Sequence, residues 1–328
     1  MIFLFANRID PYWENEIGKL RSEFPDHDFV MHNDSEEGRT FVKTADGIVI
    51  GALELGHLAN AENLKILFVP WTGLDRLPLK RLHEKKCIVA NTHGNANAVA
   101  ERAFSLCLSL LGKIPTYDHD LRNGTWHGFS VNSPENDKWT SLQDKTVGIV
   151  GFGVIGQRIA ELLTPFHCKI IALKKNIQVG KKSSPVLYAK SIDEIIEKSE
   201  ILFLLLPLTD ETRSIINLKR LQKMKGKFLI NMGRGDLIAE KDLFESVQNN
   251  FLKGLAMDVW YQYPTKDNKT VFPSKYPFQN LQNVVLSPHV GGFCYDGHHE
   301  MMLETIENIR SYITYGKPVH QANLTEGY

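Results

Sequence analysis

The sequence predicts an α/β protein built from two doubly wound parallel-sheet units, and three observations carry that expectation. Short runs of β-branched, aliphatic or aromatic residues alternate with helix-period segments along most of the 328 residues, the rhythm of strand–helix–strand crossovers in a parallel sheet. The length suits two domains at roughly 100–200 residues each. The rhythm breaks once, from Thr116 to Gln143, where periodicity gives way to Asn123-Gly124, Ser133-Pro134 and scattered charge, and it returns at Thr146.

Ile2-Phe3-Leu4-Phe5 reads as the first strand. Pro11 to Phe24 reads as a helix, with Trp13, Ile17, Leu20 and Phe24 at three- and four-residue spacing. Further strands are expected at Asp28 to Met31, Gly47 to Gly51, Lys65 to Val69 and Cys87 to Ala90. Ala96 to Leu111 carries a long apolar helix pattern through Val99, Phe104, Leu106, Leu108, Leu110 and Leu111. Regular alternation then runs from Thr146 to about Leu286, and a last helix from about His298 to Tyr315 follows the pair Gly291-Gly292. The pattern divides the chain into a complete unit over 97–291 and a discontinuous one over 1–96 and 292–328. The returning C-terminal helix completes the discontinuous unit, and the helices on either side of the inserted unit form a hinge.

Composition narrows the function classes. Lys+Arg and Asp+Glu are 38 each and the pI is about 7.2, which argues against a nucleic-acid partner, since polyanion binding needs a basic excess. At 43% apolar and 23% charged residues the chain has a globular composition. The apolar runs Ile201 to Leu206 and Ile48 to Leu53 fall far short of the ~20 residues of a membrane span, and Met1 to Phe5 is too short for a signal sequence. Cys87, Cys107, Cys168 and Cys294 show no CxxC spacing and read as reduced thiols of a cytoplasmic protein. His298-His299 on a helix point about 100° apart, which favours a solvated face over a metal site.

The strongest local signal begins at Thr146-Val147-Gly148-Ile149-Val150, a buried-strand pattern running into Gly151-Phe152-Gly153-Val154-Ile155-Gly156, then helical residues, then a second strand at Lys169 to Leu173. Strand, GxGxxG, helix, strand is the dinucleotide-binding fingerprint. Gly151 permits the tight turn, Gly153 lets backbone N–H groups reach a pyrophosphate, and Gly156 permits close helix–strand packing. At the end of the second strand, where an Asp or Glu would bond a ribose 2′-OH, stand Lys174, Lys175 and Asn176, with Lys181 and Lys182 beyond. Cations there attract a 2′-phosphate, with no carboxylate in that stretch to repel it, so NADP(H) is favoured over NAD(H). The bland alternative is a solvated lysine loop.

Four later segments place chemistry at strand ends. Leu204-Leu205-Leu206-Pro207-Leu208-Thr209-Asp210-Glu211-Thr212-Arg213 ends a strand in a turn. Leu229-Ile230-Asn231-Met232-Gly233-Arg234-Gly235 presents an arginine, Gly254-Leu255-Ala256-Met257-Asp258-Val259-Trp260 an aspartate, and Val284-Val285-Leu286-Ser287-Pro288-His289-Val290-Gly291-Gly292 a histidine. Ligands of open α/β sheets sit outside the carboxyl ends of strands. The order and spacing of these motifs resembles the D-isomer-specific 2-hydroxyacid dehydrogenase family across nearly the whole chain.

That resemblance implies a flavodoxin-like substrate domain, a Rossmann NAD(P)-binding domain with the active site between them, and a homodimer built around the cofactor domains. By position it implies that Arg234 pairs with the carboxylate and carbonyl of a 2-oxo acid, where a guanidinium offers a planar, permanently charged fork. His289 exchanges the proton of the substrate oxygen. Asp258 lies by the nicotinamide carboxamide or its ribose; Val154, Ile155, Leu206, Pro207, Thr212, Met232 and Gly292 border the cofactor. In Pro70-Trp71-Thr72-Gly73-Leu74-Asp75, the stretch Trp71, Thr72 and Gly73 matches the loop whose N–H groups hold the substrate carboxylate. Asn95 sits where the formate dehydrogenase branch keeps a substrate-binding asparagine. Trp71, Trp260, Tyr261 and Phe293 are candidate pocket walls.

One position departs from the family. The glutamate that bonds the catalytic histidine lies five residues past the aspartate, and here that residue is Tyr263. A carboxylate favours imidazolium, so its replacement lowers the expected His289 pKa relative to the family, while a phenol still orients the ring. The leading expectation is an enzyme that moves hydride between NADP(H) and a small 2-oxo acid or D-2-hydroxy acid such as glyoxylate or hydroxypyruvate. Oxidation of formate or phosphonate, and a non-catalytic dinucleotide sensor like the C-terminal-binding co-repressors, are the alternatives.

Overall fold

The computed structural model describes residues 1–31, 36–51, 58, 60–128, 131–175, 186–265 and 267–327, with the side chains of 36–39 excepted. Asn176, Lys181 and Lys182 lie outside the described residues. The chain divides into two units, Met1–Asn95 with Cys294–Tyr328, and Ala96–Phe293.

The discontinuous unit holds a parallel sheet of β1 (Ile2–Phe5), β2 (Asp28–Met31), β3 (Gly47–Val49), β4 (Ile66–Val69) and β5 (Ile88–Asn91) in the order β2-β1-β3-β4-β5. This is the flavodoxin-like order. On one face, α1 (Pro11–Glu23) buries Trp13, Ile17 and Leu20 against Phe3 and Phe5, and the same cluster takes in Met302, Ile306 and Ile309 of the C-terminal helix. The opposite face receives Val42 of α2 (Glu36–Thr44) and Leu82 of α3 (Leu79–Glu84). Asp10 caps α1 by accepting from the N–H groups of Tyr12 and Trp13, the short acceptor a helix start needs.

The second unit begins with α4 (Ala96–Leu111) and α5 (Ile114–Arg122). A seven-stranded parallel sheet follows: β6 (Thr146–Val150), β7 (Lys169–Leu173), β8 (Val186–Tyr188), β9 (Ile201–Leu204), β10 (Phe228–Asn231), β11 (Gly254–Met257) and β12 (Val284–Leu286), in the order β12-β11-β10-β9-β6-β7-β8. This is the Rossmann order with one added strand, and the order reverses between β6 and β9, the switch point where such sheets take ligands. α4 and α6 (Val154–Leu163) cover one face. The other is covered by α7 (Ile192–Lys198), α8 (Leu218–Lys223) and α9 (Glu240–Gln248). Helices on both faces explain why β9 to β11 read as nearly unbroken apolar runs.

α5 corrects the expectation of an irregular stretch from Thr116. It forms a helix of nine residues that buries none of them; its apolar Ile114 and Leu121 stay exposed. The last helix, α10 (Tyr295–Tyr315), starts three residues earlier than expected, where Cys294 Sγ accepts the Gly297 N–H at 3.3 Å, and stops at Gly316 with φ +72°. That left-handed glycine is a common helix terminator.

Candidate active site

Five adjacent strands of the seven-stranded sheet end in the motifs, so β6, β9, β10, β11 and β12 deliver the glycine turn, Leu206, Arg234, Asp258 and His289 to one edge in spatial sequence. Strands are spaced about 4.8 Å, so β10 and β12 start their loops roughly 10 Å apart, a gap the size of a small substrate.

The glycine turn is shaped by close approach. Gly151 has φ +99°, and a Cβ on it would stand 3.0 Å from the Leu205 carbonyl carbon; one on Gly156 would stand 2.7 Å from Gly151 O. Around Gly153 there is open space, and as the residue preceding α6 it offers no side-chain cap to the first N–H groups of that helix. Uncapped N–H groups beside an open glycine fit an anionic pyrophosphate. Val154 and Ile155 form the first helical turn. At the end of β7, Lys174 and Lys175 are exposed. The expectation that no carboxylate stands near them needs correction: Glu211, from the turn after β9, lies 3.6 Å from Lys175 Nζ. The residues present therefore fit a bound dinucleotide, whose pyrophosphate the Gly151–Gly156 turn would hold and whose ribose Lys174 and Lys175 would meet.

Leu206, Pro207 and Met232 are half-buried at the ends of β9 and β10. Thr212 Oγ1 donates to Pro207 O at 2.7 Å and accepts the Thr209 N–H at 2.8 Å, so this hydroxyl closes its own turn.

The arginine is displayed by Asn231, which is fully buried. Its Oδ1 accepts the Gly233 N–H at 3.1 Å and its Nδ2 donates to Arg234 O at 3.0 Å, clamping the turn on both sides of Arg234. Any side chain at Gly233 would meet Leu206 O, and one at Gly235 would meet Trp260 O. The guanidinium is half-exposed and donates to Gly233 O at 2.8 Å.

His289 occupies the left-handed region at φ +58°, a conformation that costs a non-glycine residue about 1 kcal/mol or more. Asp258 holds the turn there. Its carboxylate is buried and accepts from Val290 N at 3.0 Å, from Gly291 N at 2.8 Å and from Ser287 Oγ. Arg102 on α4 donates to the same Ser287 hydroxyl through Nε at 3.2 Å and Nη2 at 2.9 Å. Asp258, expected beside the nicotinamide, is thus engaged by three donors of the histidine loop. Position 291 calls for glycine, because a Cβ there would stand 2.9 Å from Asp258 Oδ2; Gly292 follows it, half-buried.

Tyr263 Oη lies 2.9 Å from His289 Nδ1 and accepts the Trp260 N–H at 2.9 Å. The rings sit 5.4 Å apart at 55°.

Two candidate pocket walls are corrected. Trp260 is buried in the core and its indole N–H donates to Ser287 O at 2.8 Å. Tyr261 packs on the same core and donates to Ile238 O at 3.0 Å; burial first, then Glu240, pushes its phenol well above the ordinary range. Phe293 is exposed.

Trp71, Thr72, Gly73 and Asn95 belong to the discontinuous unit. Thr72 Oγ1 donates to Thr92 O at 3.0 Å and Asn91 Nδ2 donates to Thr72 O at 2.9 Å, fixing the loop after β4 to the end of β5. At this carboxyl edge, the buried atoms Asn7 Oδ1, Thr92 Oγ1 and Asn95 Oδ1 have no hydrogen-bond partner among the described residues. Buried orphans are rare in proteins and ask for a partner such as a ligand or water.

Sequence reasoning missed Arg102, and it assigned no role to Asn231 or Ser287 although both lie inside quoted motifs. Nothing in the sequence marks Arg102, which lies 185 residues from the serine it holds.

The fold and the glycine turn define the class, a two-unit α/β protein whose larger unit is a dinucleotide-binding domain. Comparison with known proteins makes this particular. The family described as D-isomer specific 2-hydroxyacid dehydrogenase, NAD binding domain, matches residues 104–291. A hydroxypyruvate reductase of Thermotoga maritima is 31% identical, covering 89% of this chain and 90% of its own length. The glyoxylate/hydroxypyruvate reductase HPR3 of Arabidopsis thaliana is 34% identical over 82% of this chain and 76% of its own. Among solved structures, an acyclic imino acid reductase (Bsp5) in complex with NADPH and D-Arg superposes with a TM-score of 0.80 at 28% identity, covering 98% of this chain and 100% of that one. The chain belongs to the D-isomer-specific 2-hydroxyacid dehydrogenase family and is an NAD(P)-dependent oxidoreductase of that family.

Proposed function

We propose that the protein reduces a small 2-oxo acid of the glyoxylate or hydroxypyruvate type to a D-2-hydroxy acid, with NADPH as the preferred cofactor. The observation that carries this reading is that Arg234 and His289 leave the carboxyl ends of β10 and β12 in the sheet whose β6 ends in the open glycine turn. The names of the relatives from Thermotoga maritima and Arabidopsis thaliana support the substrate class and favour it over formate or phosphonate oxidation and over a non-catalytic sensor.

The bound nicotinamide would supply a hydride to the carbonyl carbon. Arg234 would bind the carboxylate and carbonyl oxygens of the substrate, drawing electron density toward the oxygen. His289 would deliver the proton that this oxygen takes up, with Tyr263 on the far nitrogen of its ring. Thr72 and Gly73 would hold the substrate carboxylate through backbone N–H groups, with Trp71 and Asn95 as further contacts. Lys174 and Lys175 support the NADP(H) preference, as does the NADPH of the imino acid reductase complex. The Lys175–Glu211 pair makes the preference incomplete, so NADH is used more weakly.

Glycolate and D-glycerate formation is followed by NADPH and NADH absorbance with glyoxylate, hydroxypyruvate and pyruvate. Oxidation of NADPH with at least one of them supports the reading; a protein that binds NADPH and oxidises it with none overturns it in favour of a sensor. We also read the protein as a cytoplasmic homodimer. Its four cysteines are free thiols, and exposed Ile114, Leu121, Trp126, Val131 and Trp139 crowd one stretch of the second unit, as an interface would. Light scattering after size exclusion tests the dimer, which a monomer mass would refute.

A further inference from the structure

Tyr263 replaces a carboxylate with a group that has a proton to give. Its oxygen already accepts the Trp260 N–H, at 2.9 Å, and faces His289 Nδ1, also at 2.9 Å. A phenol in this place can donate its O–H to Nδ1, which puts the ring hydrogen of a neutral imidazole on Nε2, the nitrogen opposite the tyrosine. A carboxylate has no hydrogen to donate; it can only accept from Nδ1–H and stabilise imidazolium.

We propose that Tyr263 is a positioning and proton-relay residue, through which His289 serves as proton donor while it is neutral. The proposal rests on the reductase reading given above. In the reduction, the carbonyl carbon gains a hydride with its electron pair, and the carbonyl π pair moves onto oxygen. That oxygen takes the Nε2 proton of His289. The Nε2–H pair stays in the ring, whose Nδ1 takes the Oη proton of Tyr263, so the imidazole remains neutral throughout. The phenolate left on Tyr263 keeps the Trp260 N–H as its hydrogen-bond donor and regains a proton from water. The sum is one hydride and one proton added to the substrate. The relay runs downhill, because a phenol near 10 is a stronger acid than an aliphatic alcohol.

Trp260 links the supports of the two residues, its backbone N–H on Tyr263 Oη and its indole N–H on Ser287 O. Tyr263 packs against the core that contains Trp260, while the His289 turn is fixed by Asp258, on the neighbouring Val290 and Gly291 N–H groups, and by Arg102 through Ser287. These charged groups are the same in the native protein and in any variant at position 263, so a difference between them reports the residue at that position.

The test is the pH profile of glyoxylate or hydroxypyruvate reduction by the full-length protein and its Tyr263→Phe and Tyr263→Glu variants. In the native protein the rate stays level through neutrality and declines only at strongly alkaline pH. In Tyr263→Phe only imidazolium can donate, so the decline moves to lower pH and the rate at pH 8.5 falls by roughly tenfold or more. The native and Phe proteins converge at pH 5.5. Tyr263→Glu declines at a midpoint about one or more units above that of the Phe variant, because a carboxylate stabilises imidazolium. A purely structural role would lower the rate at every pH and leave the midpoint where it was.

A second readout needs no turnover. In the cofactor-free protein at pH 8, the ring nitrogen shifts of His289 should report the hydrogen on Nε2, and Tyr263→Phe should mix the two tautomers. Native and Phe proteins with the same alkaline midpoint, or a native ring carrying its hydrogen on Nδ1, would overturn the relay. A native protein that reduces no 2-oxo acid would sink the reductase reading instead, and the ring nitrogen shifts would still decide whether the dyad exists.

Discussion

The turn after β6 and the turn after β12 lie at the same edge of one sheet and are built by opposite means. The first is made of backbone: glycines at 151, 153 and 156, a positive φ at Gly151, close approaches at Gly151 and Gly156, and open space at Gly153. The second is made of side chains: a histidine in a left-handed conformation, held by a buried aspartate, a serine, an arginine from another helix and a tyrosine across its ring. Backbone N–H groups suit a constant, fully ionised pyrophosphate, which needs no tuning. A group that must gain and lose a proton needs neighbours chosen for charge and tautomer, and only side chains offer that choice.

If the division of labour holds, the largest effects come from the side-chain half and leave cofactor affinity alone. Arg234→Ala should lower kcat by on the order of 10²–10³-fold, the loss expected when a donor to the reacting oxygen is removed. Fluorescence titration should find the Kd for NADPH within about twofold of native, because the dinucleotide owes nothing to this guanidinium. A large loss of NADPH affinity would show that Arg234 belongs to the cofactor half and that the comparison is drawn in the wrong place.

The converse substitution is Gly156→Ala. Its Cβ would stand 2.7 Å from Gly151 O, so α6 must back away from the turn and carry its N–H groups with it. NADPH affinity should fall by roughly tenfold or more, about 1.4 kcal/mol. Ring nitrogen shifts of His289 should stay unchanged, since the bonds described for the β12 turn run to Asp258, Ser287 and Tyr263 and not to Gly156. Native affinity in this variant would remove the glycine turn from the cofactor site.

The same contrast explains what could be read from the sequence. The glycine turn is local: strand, three glycines and helix fit within 30 residues, and periodicity with spacing suffices to find them. The strand ends carrying Arg234, Asp258 and His289 are local in the same sense. The bracing is not. Arg102 reaches Ser287 across 185 residues, and no pattern in one sequence pairs such positions; Tyr263 is matched to His289, 26 residues away, only through the family resemblance. Trp260 and Tyr261 misled for a related reason. Aromatic residues beside a motif can turn toward the site or away from it, and here they turn into the core. α5 was missed because it is only nine residues long and buries no face, its apolar Ile114 and Leu121 staying exposed, so no stripe of core residues accompanies it.

Arg102 offers a milder way to sharpen the contrast. Arg102→Met keeps much of the side-chain volume and removes the two bonds to Ser287, leaving Asp258, with the Trp260 indole on Ser287 O, to hold the turn. kcat should fall by roughly tenfold, below the 10²-fold that a 1 Å misplacement of reacting groups can cost. KM for the 2-oxo acid and affinity for NADPH should move little. An Arg102→Lys variant should recover only part of the rate, since an ammonium lacks the fork that places two N–H groups on one oxygen. Unchanged kcat in the Met variant would leave Asp258 as the sufficient brace.

The smallest effect belongs to a histidine away from the catalytic edge, and it shows what side-chain bracing does where no chemistry is asked of it. His127 is bridged by Asp137 at 2.8 Å on Nδ1 and by Asp120 at 2.9 Å on Nε2. Lys113 lies 3.6 Å from the Asp137 carboxylate, and the Tyr117 ring is 4.7 Å from the imidazole. The bonds to Asp137 and then Asp120 hold the His127 pKa above its ordinary value, and the bond from His127 holds Asp137 below its own. A raised folded pKa gives stability that is complete below the unfolded value of about 6.5 and is lost as pH climbs through the folded one. The Asp137 contribution has the opposite sense, being present above its unfolded pKa and lost on acidification. The segment 124–138 should therefore be most firmly tied to α5 at mildly acidic pH. Above the folded pKa a neutral ring has one N–H and keeps only one of its two carboxylates as an acceptor. Amide exchange in 124–138, corrected for its intrinsic pH dependence, should be modestly faster at pH 9 than at pH 6, and equal in His127→Ala at both. The effect stays small because water and salt screen an exposed ion pair. Protection in the native protein that is identical at the two pH values would mean the bridge contributes nothing to the fold of this segment.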